Sequence, residues 1–146
     1  MFDEKFNAPS EMIILDGVTY KRDNLEIPFS GTYNWAAPDG SDVVSFYKDG
    51  KCISKTISEN GMIKSKTTFK NDGINEIEVF DENGQIRFRN QLVNGKLNGL
   101  TEIFSNGIRI MSSEFKEGKK NGESIVYNSD GSVSYREYFI NDVKQK

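Results

Sequence analysis

Gly99–Leu100–Thr101–Glu102–Ile103–Phe104, then Ser105–Asn106–Gly107, then Ile108 to Phe115, then Lys116–Glu117–Gly118–Lys119–Lys120–Asn121–Gly122 form the passage on which the architecture turns. It reads as a short β-prone run, a turn, a second β-prone run and a lysine-rich, glycine-closed turn. Asn-Gly and Asp-Gly pairs supply the positive φ that tight hairpin turns require. Read outward, the same units return at one interval. Phe46, Phe69, Leu92, Phe115 and Tyr138 are each 23 residues apart. Gly61, Gly84 and Gly107 keep that spacing, and Gly131 follows after 24. Ile57, Phe80, Phe104 and Tyr127 form a third series, with steps of 23, 24 and 23. A fixed period of this length marks a repeat architecture.

Further turn pairs stand at Asp16-Gly17, Asp39-Gly40, Asp49-Gly50, Asn60-Gly61, Asp72-Gly73, Asn83-Gly84, Asn94-Gly95 and Asp130-Gly131. From Gly40 to Gly118 that punctuation falls every 10 to 12 residues, which predicts successive short antiparallel strands. Helix fails as a reading. No window keeps apolar residues at i, i+3, i+4 and i+7, and each glycine would cost a helix about 1 kcal/mol. Alternation fits instead. Ile86, Phe88 and Leu92 are expected on one face, with Gln85, Arg87, Arg89 and Gln91 on the other. Likewise Ile63 and Phe69 are expected to share a face with Ser65 and Thr67, while Lys64, Lys66 and Thr68 face away. The expected fold is all-β, an elongated, twisted antiparallel meander of stacked hairpins of about 23 residues.

The 146 residues are read as a single domain. Residues 1–30 form an N-terminal arm and capping hairpin, and residues 31–142 the repeats. Met12–Leu15, Asp16-Gly17 and Val18–Lys21 make the capping hairpin. The apolar fraction is 36%, with 13 glycines besides, which points to a thin core. The net charge of −3, from 19 basic and 22 acidic residues, is too weak a field for a duplex nucleic-acid binder. No stretch approaches 18 apolar residues, so no membrane-crossing helix is expected. The first twelve residues lack the apolar run of a signal peptide, and Cys52 is the one cysteine. A cytoplasmic location is expected, with export only if a leader has been removed.

These residues resemble the bacterial variant of the MORN repeat found in antitoxin-like proteins. The features that carry the likeness are Pro28–Phe29–Ser30–Gly31 at the start of the array and the pass from Gly95 through Phe104, Gly107, Phe115 and Gly118–Gly122 to Tyr127. The likeness covers roughly residues 17 to 142. It departs at Asn75-Glu76, where a second glycine is expected. The resemblance implies a twisted sheet of stacked hairpins, an association with protein–protein contact and, in some members, with membrane surfaces.

Chemistry-bearing motifs are scarce. There is no histidine, which removes Ser-His-Asp and Cys-His systems, and one cysteine builds no zinc cluster. There is no phosphate-cradling loop and no calcium loop. Carboxylates at Glu76, Glu78 and Glu102 read as a solvated face, because an acid–base pair needs a cleft. Neither an enzyme nor a cofactor is expected. Lys64, Lys66, Arg87 and Arg89 repeat at 23 residues and are expected on one face, either to anchor an acidic partner or to pair with nearby glutamates. Trp35 and Tyr47 fall outside the aromatic ladder and are expected to contact a partner. Phe46, Phe80, Phe104 and Tyr127 are expected in the core. The expected function is a non-catalytic protein-binding module, an antitoxin or immunity-type partner among the forms it takes. The alternatives are a self-associating scaffold, including a homodimer, and a membrane-surface protein.

Overall fold

A computed structural model describes residues 11–70 and 73–146. Residues 1–10 of the expected arm, and Asp72 of the expected Asp72-Gly73 turn, lie outside the described residues. The chain is all-β, and its strands pair antiparallel, mostly with a neighbour in sequence. Contacts gather the chain into two compact units, residues 1–68 and 69–146.

In the first unit, β1 (Met12–Leu15) and β2 (Val18–Lys21) form a hairpin. A second sheet runs β3 (Gly31–Ala36), β4 (Asp42–Lys48), β5 (Lys51–Glu59) and β6 (Met62–Phe69). Residues directly opposite each other in an antiparallel pair project to the same side. Tyr33, Trp35, Val43, Ser45, Tyr47 and Ile57 therefore share one face of this sheet. Burial along β4 alternates strictly: Val43, Ser45 and Tyr47 are buried, while Val44 and Phe46 are exposed. The backbone ties the first hairpin to the sheet. Thr19 N–H donates to the Gly50 carbonyl (2.7 Å), Gly50 N–H to Phe29 (2.7 Å), and Phe29 N–H to Thr19 (2.9 Å). Any side chain at Gly50 would run into Val18 and the Thr19 backbone. Met12 is 1% exposed, and Phe29 packs its ring 5.5 Å from Tyr47.

The second unit holds β7 (Ile74–Phe80), β8 (Ile86–Val93), the two-residue β9 (Lys96–Leu97), β10 (Gly99–Ser105), β11 (Ile108–Lys116), β12 (Lys119–Tyr127), β13 (Val133–Ile140) and β14 (Val143–Lys144). It repeats at the level of register. Arg89 faces Glu102 and Phe88 faces Ile103; 23 residues on, Ser112 faces Ile125 and Met111 faces Val126. Leu92 faces Leu97 as Phe115 faces Lys120.

Two kinds of turn join the strands. Asp49-Gly50, Asn60-Gly61, Asn94-Gly95, Asn106-Gly107 and Glu117-Gly118 have positive φ at both residues, as a two-residue hairpin demands. At Asp39-Gly40, Asn83-Gly84 and Asp130-Gly131 only the glycine does. These last are longer loops, closed by Ala37 N–H to Ser41, Asp81 N–H to Gln85 and Asn128 N–H to Ser132. The dipeptide alone does not separate the two kinds. Asn98-Gly99 and Asn121-Gly122 are not hairpin turns at all. Their glycines sit in irregular extended backbone, at φ 104° and 126°. Asn75 and Glu76, at the departure from the repeat, lie in β7 without positive φ.

Bulges correct the expected faces. The register shifts by one residue at Lys64, Arg87, Ile110 and Ser134, and further irregularities fall at Ile53 and between Ser113 and Phe115. Phe80 faces Ile86 while its neighbour Val79 faces Phe88, so Ile86 and Phe88 lie on opposite faces. Ile63 is likewise separated from Ser65 and Thr67, because Ser58 faces Ile63 while Ile57 faces Ser65. An extra residue in one strand reverses the alternation beyond it. The aromatic ladder also slips at its end. Phe139, opposite Gly122, takes the place expected of Tyr138, which is 52% exposed. The longer Asn128–Ser132 loop absorbs the extra residue.

Gly122 tests this packing. A methyl there would stand 2.9 Å from Glu114 Cβ, at a φ that L-residues avoid. Gly131 has positive φ but open space around it. Gly122→Ala is expected to lower unfolding free energy in urea by about 2–3 kcal/mol, and Gly131→Ala by about 1 kcal/mol. Equal losses would show that the close approach is not what requires Gly122.

Candidate functional site

The four basic residues do not form the expected cluster. Lys64 and Arg87 are bulge residues, where simple alternation fails. Arg87 is exposed and lies over the Phe88 ring at 5.6 Å. Lys66 faces Thr56 on an open face of the first sheet. Arg89 is committed to carboxylates: it reaches Glu78 (3.4 Å) and Glu102 (3.0 Å), and Glu102 also takes Arg109 at 3.0 Å. Burial works against its charge, but the hydrogen bonds and fields of Glu102 and Glu78 outweigh that and raise its pKa. Glu76 is held by Lys70 at 2.9 Å. The expected cross-strand pairing of these bases with glutamates is what Arg89 does.

The two aromatic candidates part company. Tyr47 is 7% exposed and packs on the covered face, so it is a core residue and not a contact residue. Phe46, expected in the core, is 44% exposed. Two aromatic residues in succession leave alternation unable to say which points inward. The packing of Phe29 against Tyr47 decides it. Burial, and then the neighbouring Cys52, push the Tyr47 phenol up to about 12. Trp35 is half-buried on the outermost strand, opposite Val43.

The second unit supplies a surface that no single strand reveals. Val79, Phe88, Ile103, Met111, Val126 and Tyr135 oppose one another in turn across six strands and form one apolar row. We call its side the front face. Beside it, Thr101, Ser113 and Ser124 make a row of small hydroxyls, with Ser113 Oγ 2.9 Å from Ser124 Oγ. Phe115 stands on the same face beyond them, opposite Gly99. Ser113 and Ser124 are buried between these taller side chains, and the Thr101 hydroxyl is buried with no hydrogen-bond partner. Among the described residues of 69–146 every element is a strand of this sheet, and none of the six apolar residues is buried.

The back face differs in character. Glu78, Arg89, Glu102, Ser112, Ile125 and Arg136 form its matching row. Phe80, Phe104 and Tyr127 lie on this side, half-buried. Arg89 covers Phe104 at 5.7 Å, and Arg109 covers Tyr127 at 4.3 Å. Tyr127 also shares a hydrogen bond of 2.9 Å with Ser112. Charge is thus neutralised pairwise on the back face, while the front row is apolar up to its end, where Tyr135 donates to Glu137, which also pairs with Lys144 at 3.3 Å. Among the described residues no group of acids, cysteine or histidine is placed to hold a metal ion.

Two measurements probe these assignments. Glu102→Gln removes the charge that two arginines share, and is expected to cost about 1 kcal/mol in urea unfolding, less at high salt. Below pH 10 Tyr47 is neutral folded or unfolded. Between about pH 10, where an unfolded tyrosine ionises, and the folded value of about 12, only the unfolded state loses its proton, so stability falls as pH rises. The fall attributable to this group is roughly 2–3 kcal/mol. Tyr47→Phe is expected to flatten that part of the pH profile and leave stability at pH 7 nearly unchanged.

No family model matches this chain, and no curated protein matches it.

Proposed function

We propose that the chain is a non-catalytic protein-binding module that takes its partner on the front face of residues 69–146. The observation that carries this reading is the six-strand apolar row from Val79 to Tyr135, none of whose residues is buried and over which no described element of that unit is placed. Apolar area left in water is worth roughly 25 cal/mol per Å² when a partner covers it. Phe88, Met111 and Tyr135 are the side-chain types that interface centres favour. The acids support the same reading. Glu76, Glu78 and Glu102 are tied to lysine and arginine on an open sheet, not set apart in a cleft. An antitoxin or immunity-type pairing is the specific form that the repeat resemblance supports.

The test is affinity capture from the source lysate by the folded chain, compared with face-specific variants. Met111→Asp and Tyr135→Asp are expected to lower recovery of a stoichiometric partner at least about tenfold. Arg136→Ala, on the back face, should retain it. Absence of any such partner, or equal loss from the back-face variant, overturns the reading.

A further inference from the structure

Strand β3 is paired on one side only, and its composition is unusual for such a position. Gly31–Thr32–Tyr33–Asn34–Trp35–Ala36 contains no charged residue, no proline and no bulge against β4. Sheet edges are ordinarily guarded by charge, proline, bulges or shortness, because their free amides and carbonyls template another strand. The C-terminal edge of the other unit shows such guarding: β13 carries Arg136 and Glu137 beside the Ser134 bulge, and β14 is two residues long.

The direction of the free groups on β3 follows from its hairpin. Ala37 N–H donates to the Ser41 carbonyl, and Trp35 faces Val43 in the same register. Backbone groups of Ala37, Trp35, Tyr33 and Gly31 therefore turn toward β4, and those of Thr32, Asn34 and Ala36 turn outward. Among the described residues no strand lies beyond them.

We propose that a second copy of this chain pairs here, β3 against β3, antiparallel about a two-fold axis through Asn34. In this register Asn34 faces Asn34 of the second copy, and Thr32 faces its Ala36. Each of these pairs has its N–H and C=O groups directed at the other, so the three pairs exchange backbone hydrogen bonds in full. On the face shared with Tyr47, Tyr33 of each copy falls opposite Trp35 of the other. Cross-strand aromatic pairs of this kind add to the ladder. On the opposite face only Asn34, Thr32 and Ala36 meet, with no like charges. The strand is self-complementary, which is the condition that a two-fold interface imposes. This association uses the first unit and is independent of the front-face partner.

A six-residue edge makes a small interface, so the dimer should be concentration-dependent. Sedimentation velocity of the full chain, from about 1 µM to about 500 µM, is expected to show monomer passing to dimer. Asn34→Pro removes an outward N–H without touching the β3–β4 ladder, and is expected to abolish the dimer. Asn34→Lys places two like charges on the axis, leaves the fold unchanged, and should weaken association at least about tenfold. The register has its own test. Facing residues of an exchanging pair have Cα atoms about 5.5 Å apart, within disulfide reach. In a Cys52→Ser background, Asn34→Cys is expected to crosslink under mild oxidation and Thr32→Cys is not. A chain that stays monomeric throughout the series overturns the proposal. So does a dimer indifferent to Asn34→Lys, or a crosslink from Thr32→Cys in place of Asn34→Cys.

Discussion

A clamp between successive hairpins holds the repeat together. Gly31, Gly99 and Gly122 each take a positive φ inside extended backbone, and a short polar residue precedes each of them. Ser30 Oγ accepts the Asp49 amide at 2.9 Å, Asn98 Oδ1 the Glu117 amide at 3.2 Å, and Asn121 Oδ1 the Asn141 amide at 3.3 Å. Each amide opens a tight turn of positive φ. A backbone bond lies beside each clamp: Gly50 to Phe29, Gly118 to Leu97 and Asp142 to Lys120. A lone hairpin has little with which to hold a turn in water. Here the preceding strand supplies the missing acceptors, so these three turns are fixed by the unit before them. The glycine lets the strand bend back, and the residue ahead of it reaches forward.

Irregularity occurs at both ends of the hairpins: the shifts at Ile53 and between Ser113 and Phe115 lie near clamped turns, and Arg87, Ile110 and Ser134 bulge out of the ladder farther along. Each bulge moves the residues beyond it to the other side of the sheet. That is how Phe88 and Ile86, two positions apart, come to serve different faces, and how the front row gathers Val79, Phe88, Ile103 and Met111 while the back keeps Phe80, Phe104 and Tyr127. The apolar row is therefore a product of repeated bulges as much as of composition.

The architecture was legible because its signals are local. Turn dipeptides, a fixed interval and the absence of helical spacing are all visible in one dimension. The pairing of Arg89 with glutamates was legible too, since basic and acidic residues recur on neighbouring strands. Three things were not. A bulge adds one residue without a dedicated sequence mark: Lys64, Arg87, Ile110 and Ser134 share no chemistry. Phe46 and Tyr47 are equivalent to any rule of alternation, and only packing on one side of β4, where Phe29 stands 5.5 Å from Tyr47, separates them. The two glycine series also do different work, one closing turns and one kinking strands, and both are written Asn-Gly. The front face escaped notice for a related reason. Its six residues come from six strands, and no window of sequence contains more than two of them.

The loop Asn128–Ser132 has a wider bearing. It takes up one residue more than the Asn106-Gly107 turn does, and its closure is internal: Asp130 accepts from the Ser132 amide at 2.9 Å, and Asn128 from neither neighbouring strand. Length can therefore change at this end of a hairpin without disturbing the clamped end. Such an array has a conservative rim and a permissive rim. Grafted segments, epitopes or reporter tags belong on the permissive one, where the scaffold already accommodates a unit of unequal size.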